Sequence, residues 1–461
     1  MVFPIQIPTD APFNAEQRSW LNDFLSKTLA HCNQTSAPSG PSIPATGRGA
    51  NRIHSHADVD PEAPDAEWSS GVLATFAPPA ENSTEALVEG YSKSNPFPAP
   101  LVQNFNLNGP GDKQTHQIAF SLEGSDLAYE VGDALGVYPS NPPDVVDEII
   151  ANLPFKASDV LTPDGAEMTL RAALIHHYDI GSLNKSMLQK LQAKSGSPVL
   201  RSLVAADGKK TNEDFCWGRD LIDLVIDHPA DFNDAEEFIS ILKKLQPRLY
   251  SIASSPRAHP IEVHLCVGIV RYQSKGRTRG GICSTFFADR VNDGTKPRIY
   301  VHGNNAFRLP ADGGTDVIMC GPGTGIAPFR AFLEDRKATA AKGRNWLFFG
   351  NPHRATDYLY QDEIESYIAD GTLAKFDAAW SRDQEEKLYV QHLMLQNGAE
   401  LWTWLSGGAA FYVCGDASRM AKNVDQALLK IAEHHGKLTP SGAAAFISQL
   451  KKEKRYLRDV Y

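Results

Sequence analysis

The sequence predicts two folded parts in series: a β-barrel domain interrupted by a helical insertion, then an α/β domain built on a doubly wound parallel sheet. From about residue 71 to 310, short β-type runs at 117–122, 261–272 and 298–302 are separated by Gly/Pro turns. Within that stretch, at about 142–240, the period changes to that of helices, as in Asp144-Val145-Val146-Asp147-Glu148-Ile149-Ile150 and Leu221-Ile222-Asp223-Leu224-Val225. From about residue 314 strands and helices alternate: 316–320 then a helix from Ala327, 345–349 then a helix from Asp362, 411–414 then a helix from Ala417.

Taken in order, residues 1–32 carry one amphipathic helix: Trp20, Leu21, Phe24, Leu25 and Leu29 share a helical face, and Asn14 can cap its start. Residues 33–70, rich in Ser, Pro, Gly, Ala and Asp, cannot bury enough apolar surface to order themselves and read as a disordered linker. The barrel domain follows over 71–310 and the α/β domain over 311–461. The helix folds back on its own domain or reaches a partner.

At 461 residues, with 42% hydrophobic and 22% charged residues, a large core can form. No apolar run approaches the roughly 18 residues of a membrane span, and the start lacks the basic and hydrophobic regions of a signal peptide; a cytoplasmic protein is expected. The net charge of −10 argues against a nucleic-acid coat and suits a partner with a basic docking face. Six cysteines (32, 216, 266, 283, 320 and 414) stand singly, with no metal-ligand spacing, and no metal site is expected. The adjacent pairs His176-His177 and His434-His435 point apart on a helix and lack completing ligands.

Several segments carry chemistry. Val317-Ile318-Met319-Cys320 runs into Gly321-Pro322-Gly323-Thr324-Gly325-Ile326 and then a helix, so that Gly323, Thr324 and their neighbours present backbone N–H groups to an anionic phosphate. Ile326 stands where the dinucleotide fingerprint needs its third glycine, and a structural strand-to-helix turn would look much the same. Ser381-Arg382 and Lys387-Leu388-Tyr389-Val390-Gln391 follow a strand at 374–380. They offer a planar donor fork, a point charge and a ring for a ribose 2′-phosphate and adenine, which would select NADPH over NADH. A solvated basic loop is the other reading of that segment.

In Arg248-Leu249-Tyr250-Ser251, strand alternation sends Arg248 and Tyr250 to one face and Ser251 to the other, an arrangement that can hold a pyrophosphate and cover a flavin. Gly281-Ile282-Cys283-Ser284 opens an apolar helical run whose first amides can receive the same pyrophosphate. Each alone also reads as a turn or a core strand.

The order of these motifs, completed by Tyr412-Val413-Cys414-Gly415-Asp416 and the terminal Arg455-Tyr456-Leu457-Arg458-Asp459-Val460-Tyr461, resembles the ferredoxin–NADP reductase superfamily. Within its diflavin branch the chain is most similar to the flavoprotein (alpha) subunits of NADPH–sulfite reductase, over about residues 90–461. The resemblance implies FAD held by Arg248, Leu249, Tyr250 and Ser251, by Cys266, Val267, Gly268 and Tyr272, and by Gly281 to Ser284. It implies NADPH held by Ser381, Arg382 and Lys387 to Gln391. Tyr461 would stack on the flavin face that the nicotinamide must reach, with Ser251, Cys414 and Asp459 flanking the hydride path.

The electron acceptor it implies is the sirohaem iron–sulfur sulfite reductase subunit, reached directly or through a flavodoxin or ferredoxin. A free-standing NADPH–ferredoxin or flavodoxin reductase, and a docking module with a degenerate flavin site, are the alternatives. Two departures stand out. Asn423 replaces an Asp of the family's pattern, and the family's flavodoxin-like FMN domain has no counterpart because residues 33–70 are too short for it. FMN is therefore not expected in this chain.

Overall fold

The computed structural model describes residues 90–205, 209–292 and 294–461, with the side chains of 209–211 left out. The helix and linker expected over residues 1–70, and Cys32, lie outside the described residues. The described residues belong to one compact unit.

Strands β1 (Phe97–Pro98), β2 (Leu101–Asn106), β3 (Thr115–Ser121) and β4 (Ala134–Tyr138) come first. A largely helical stretch from Pro143 to Ser240 follows, broken by the small hairpin β5 (Val160–Leu161) and β6 (Met168–Thr169). The chain then returns as β7 (Arg248–Ser251), β8 (Glu262–Gly268), the hairpin β9 (Arg271–Ser274) and β10 (Arg277–Gly280), the helix Ile282–Arg290 and β11 (Arg298–His302). These strands make two antiparallel sheets, in the order β1-β11-β4-β7 and β2-β3-β8. Where the sequence predicts a barrel, a closed one is not seen among the described residues: there the two sheets are joined by a single bridge, Ile252 to Leu265. They share a core of Ile118, Phe120, Leu135, Val137, Val263, Leu265, Phe287 and Ile299. The helical stretch has a core of its own, including Leu170, Leu174, Leu188, Leu224 and Phe238. A chain segment that can bury its own apolar face does not need the sheets to order it.

The last third is a parallel sheet, β14-β13-β12-β15-β16, of β12 (Val317–Cys320), β13 (Asn345–Asn351), β14 (Lys375–Trp380), β15 (Ala410–Gly415) and β16 (Tyr456–Val460). Every residue of β12, β13 and β15 is buried, which is why they read as continuous apolar runs. The helices Ala327–Ala338, Gln361–Ala369, Val390–Gln396, Gly398–Ser406, Met420–His434 and Pro440–Lys452 accompany the sheet.

One core spans the seam between the two parts. Val131, Ala253, Cys266 and Phe307 pack with Val317, Met319, Phe329, Phe332, Tyr412 and Leu457. Phe307 stacks on Phe332 (5.6 Å) and meets Tyr412 edge-on (5.4 Å), while the Tyr412 hydroxyl donates to the Arg308 carbonyl at 2.7 Å.

Candidate active site

The parallel sheet reverses its strand order between β12 and β15, and at that switch point the carboxyl ends of strands leave a crevice that suits a ligand. The glycine turn after β12 fits there because it lacks side chains. A Cβ on Gly325 would lie 2.2 Å from the Cys414 carbonyl oxygen, and Gly323 adopts φ +57°. The turn is a short 3-10 helix, Gly323–Ile326, leading into Ala327–Ala338. It also meets the end of β8: a Cβ on Gly268 would touch Thr324 at 3.5 Å.

The terminal strand completes the crevice. β16 adds parallel to β15, placing Asp459 opposite Cys414 and Val460 opposite Gly415. Tyr461 is anchored rather than frayed: its N–H donates to the Gly415 carbonyl (3.1 Å) and its carbonyl accepts from the Ala417 N–H (3.0 Å). Its hydroxyl lies 3.0 Å from Thr324 Oγ1, while the residue stays 52% exposed.

Ser251 reaches this point from the other side of the seam. Its hydroxyl donates to Asp459 Oδ2 at 2.5 Å, and the Cys414 thiol lies 3.7 Å from the same oxygen. Burial pushes the Asp459 carboxyl up from its ordinary value, against the lowering effect of these two donors. Burial, reinforced by Asp459, pushes the Cys414 thiol well up, so it stays protonated. Thus Ser251, Cys414, Asp459 and Tyr461, with Thr324, come together from β7, β15, the terminal strand and the glycine turn.

A second group continues from Ser251. Tyr250 packs edge-on against Phe287 (5.5 Å) and contacts Cys283, whose thiol burial pushes up to about 12. Gly281 precedes the helix Ile282–Arg290, whose first N–H groups have no acceptor within the helix. A Cβ on Gly281 would press to 2.7 Å of Ser284 Oγ, which itself accepts from the Val270 N–H (3.2 Å). Tyr272 sits on the adjoining hairpin, opposite Arg279. Arg248 donates to the Gln246 carbonyl (2.8 Å) and has no carboxylate partner among the described residues. Leu249 points outward, 47% exposed. Cys266 and Val267 are buried in cores, so Val267 can offer a ligand only its backbone, and burial pushes the Cys266 thiol up to about 12.

The third group lies at the carboxyl end of β14. The Ser381 and Arg382 N–H groups donate to the carbonyls of Asn351 (3.0 Å) and Pro352 (2.9 Å). Arg382 and Lys387 are exposed, without carboxylate partners among the described residues, and Tyr389 is 44% exposed. Gln391 is half-buried, whereas Leu388 and Val390 pack into the sheet's core and position the loop. Asn423 is exposed on Met420–His434. From β14 to β16 is four strand spacings, about 19 Å along the carboxyl edge. The exposed Arg382 and Lys387 stand towards one end of that edge and Tyr461 at the other.

The fold also assembles a group that sequence reasoning missed. His259, Glu262 and His264 bring three possible ligand atoms within 4.8 Å. Arg330 Nη1 lies 3.3 Å from His264 Nδ1, and His264 Nε2 pairs with Glu262 at 2.8 Å. A metal on Nε2 would leave a proton on Nδ1 facing that guanidinium, so these residues fit an ion-pair network better than a metal centre. Arg330 also binds Glu363 (2.7 and 3.0 Å), Glu334 (3.0 Å) and the Ala253 carbonyl (2.7 Å). Arg330 and His264 are 66 residues apart, and nothing local in the sequence signals their meeting.

A family model described as an FAD binding domain matches residues 90–286, and one described as an oxidoreductase NAD-binding domain matches residues 311–426. Among curated proteins, the sulfite reductase (NADPH) flavoprotein alpha-component of Bacillus subtilis (strain 168) is 44% identical over 415 residues, covering 88% of this chain and 69% of that protein. The protein of the same description from Klebsiella pneumoniae is 42% identical over 427 residues, covering 90% of this chain and 71% of its own length.

Proposed function

This chain belongs to the family of sulfite reductase (NADPH) flavoprotein alpha-components, and from that membership we propose that it carries electrons from NADPH through FAD to a haemoprotein that reduces sulfite to sulfide. The observation that carries the reading is the convergence of Ser251, Cys414, Asp459 and Tyr461 where the two cofactor-binding segments meet. FAD, when bound, supplies the conversion of a two-electron hydride into single-electron release. FAD would be held by Arg248 to Ser251, Cys266 to Gly268, Tyr272 and Gly281 to Ser284. NADPH would be held by Gly323, Thr324, Ser381, Arg382 and Lys387 to Gln391. The Arg248 guanidinium, bound to a backbone carbonyl and to no carboxylate among the described residues, the helix amides after Gly281 and the exposed residues Tyr389 and Tyr461 fit those groups.

In this reading Ser251 and Asp459 share one proton-bearing contact and orient the reacting edge without covalent chemistry. Cys414 keeps its proton and acts as a donor, not a nucleophile. Tyr461 covers the crevice and excludes water until the nicotinamide displaces its ring. Arg382 and Lys387 pair with the 2′-phosphate, and the uncharged Asn423 adds no charge beside them.

We assign the FAD-binding part to 71–310, its two sheets forming an open barrel, and the NADP-binding part to 311–461. Residues 33–70 are too short for a flavodoxin-like domain, so FAD is the flavin we assign within this sequence. The partner we assign is a sirohaem iron–sulfur subunit, reached directly or through a flavodoxin or ferredoxin. No helix among the described residues is long and apolar enough to cross a membrane, and we place the protein in the cytoplasm. The test is reconstitution of the FAD-loaded chain with a sirohaem sulfite reductase subunit, NADPH and sulfite. Sulfide formed without a further protein supports the direct route, and sulfide only on adding flavodoxin supports the mediated one. Reduced flavin with no sulfide in either mixture contradicts the assignment.

A further inference from the structure

On the face of the β1-β11-β4-β7 sheet turned away from its core, the chain frames a hollow of about 250 Å³ that the reading above does not use. Leu135, Val137 and Ile299 are fully buried, so strand alternation sends Tyr138 and its pairing partner Arg298 to the opposite face. Arg248 and Tyr250 pair with Val137 and Leu135 and therefore lie on the core side. Ser251 pairs with Ala134, at the other end of β4 from Tyr138, about 14 Å along the strand. The hollow is thus separate from the crevice at the seam.

Its lining includes Lys93, Lys244, Arg298, His176 and His177, and no carboxylate. Lys244 is paired with Asp164, but Lys93 and Arg298 have no carboxylate partner among the described residues. The Arg298 guanidinium lies 5.2 Å over the Tyr138 ring, and the Tyr138 hydroxyl donates to the backbone carbonyl of Lys93 at 2.9 Å, which fixes the main chain there beside the hollow. In a chain of net charge −10, such a concave cationic surface is a local reversal of the overall field. Its volume is below the usual range for organic cofactors, which favours a compact ligand.

We propose that this hollow binds a small oxyanion of the phosphate or sulfate class, free or carried on a small molecule, through Lys93 and Arg298 with His176 and His177 beside them. Both histidines support the reading. Burial first, and then neighbouring positive charge (His177 and Arg298 for His176, Arg298 and Lys244 for His177), hold each below its ordinary value, with the Asp164 carboxylate opposing at His177. A bound dianion reverses the second effect, so binding takes up protons and strengthens as pH falls through the histidine range.

The test is a titration of the FAD-loaded protein with inorganic phosphate, sulfate and, separately, adenosine monophosphate, followed by NMR of the imidazole ring protons. Signals are assigned with His176→Asn and His177→Asn. The expected result is saturable shifts at both rings with a dissociation constant of about 1 mM or tighter, and an upward move of both titrations. Inorganic ions alone shifting the rings identify a free ion, and a tighter effect of the nucleotide identifies a carried group. The variant Lys93→Gln/Arg298→Gln should weaken binding at least about tenfold while leaving thermal stability and NADPH-driven dye reduction unchanged. Rings that do not respond to any of the three, or equal affinity in the variant, overturn the proposal.

Discussion

Tyr461 is held through both its backbone groups and its hydroxyl, yet half of its surface stays open. Stacking a ring is worth roughly 0.5–1.5 kcal/mol beyond area burial, whereas binding at micromolar affinity provides about 8 kcal/mol. The ring can therefore be displaced by bound NADPH without barring it. Tyr461→Ala should change both the rate of hydride transfer and the NADPH-to-NADH ratio of kcat/KM; unchanged values would remove the gating role. Arg382 is exposed and unpaired among the described residues, so Arg382→Ala should cost about 2 kcal/mol, or more than tenfold, in NADPH use while NADH use holds steady. An unchanged cofactor ratio would take Arg382 out of 2′-phosphate recognition. These residues are candidates because their chemistry is local: a guanidinium, a ring and a terminal strand are visible by residue type alone. What the sequence left open is which neighbours they meet, such as Thr324 for Tyr461.

At the scale of elements, the alternation from residue 314 onward anticipates the parallel sheet, and it appears as five strands with helices between them. Fully buried parallel strands leave a strong apolar signal. The antiparallel part is less legible. β4 pairs with β7 and β11, across more than a hundred intervening residues, and local runs cannot specify whether such ladders close. The glycine turn also has a packing role that its phosphate-like pattern conceals. Gly325 lies against the Cys414 carbonyl, where a Cβ has only 2.2 Å, so backbone must move to admit it. Gly325→Ala should cost about 2–4 kcal/mol in stability, read from the denaturant midpoint. Gly323→Ala meets no atom and carries only left-handed strain, about 1–2 kcal/mol. Equal effects would contradict this account of the turn.

Across the whole molecule, the shared core around Phe307 and the Arg330 network fix one cofactor-binding part against the other. Glu334 on the Ala327–Ala338 helix also accepts from the Ser255 N–H at 2.7 Å. Neither feature was legible, because each depends on residues remote in sequence whose types suit an ordinary surface as well. The network has a pH consequence. Burial foremost, with Arg330 and His259 adding to it and Glu262 opposing, pushes His264 from 6.5 down to about 4. Between those values the unfolded chain binds a proton that the folded chain refuses. The contribution is therefore intact above 6.5 and lost as pH falls towards 4. Burial raises Glu334, which has the opposite sign and remains when His264 is replaced. The wild-type denaturant midpoint should fall more steeply than that of His264→Gln between about pH 7 and about pH 5; parallel curves would contradict the assignment.

On the proposed function, hydride passes from NADPH to FAD where Ser251, Cys414, Asp459 and Tyr461 converge. The most direct measurement of this transfer is anaerobic stopped-flow reduction of the FAD-loaded protein by NADPH, with Asp459→Asn alongside. The expected result is rapid flavin bleaching in the wild type, slowed at least about tenfold in the variant at unchanged FAD content. Failure of NADPH to bleach bound FAD, or equal rates in the two proteins, would contradict it.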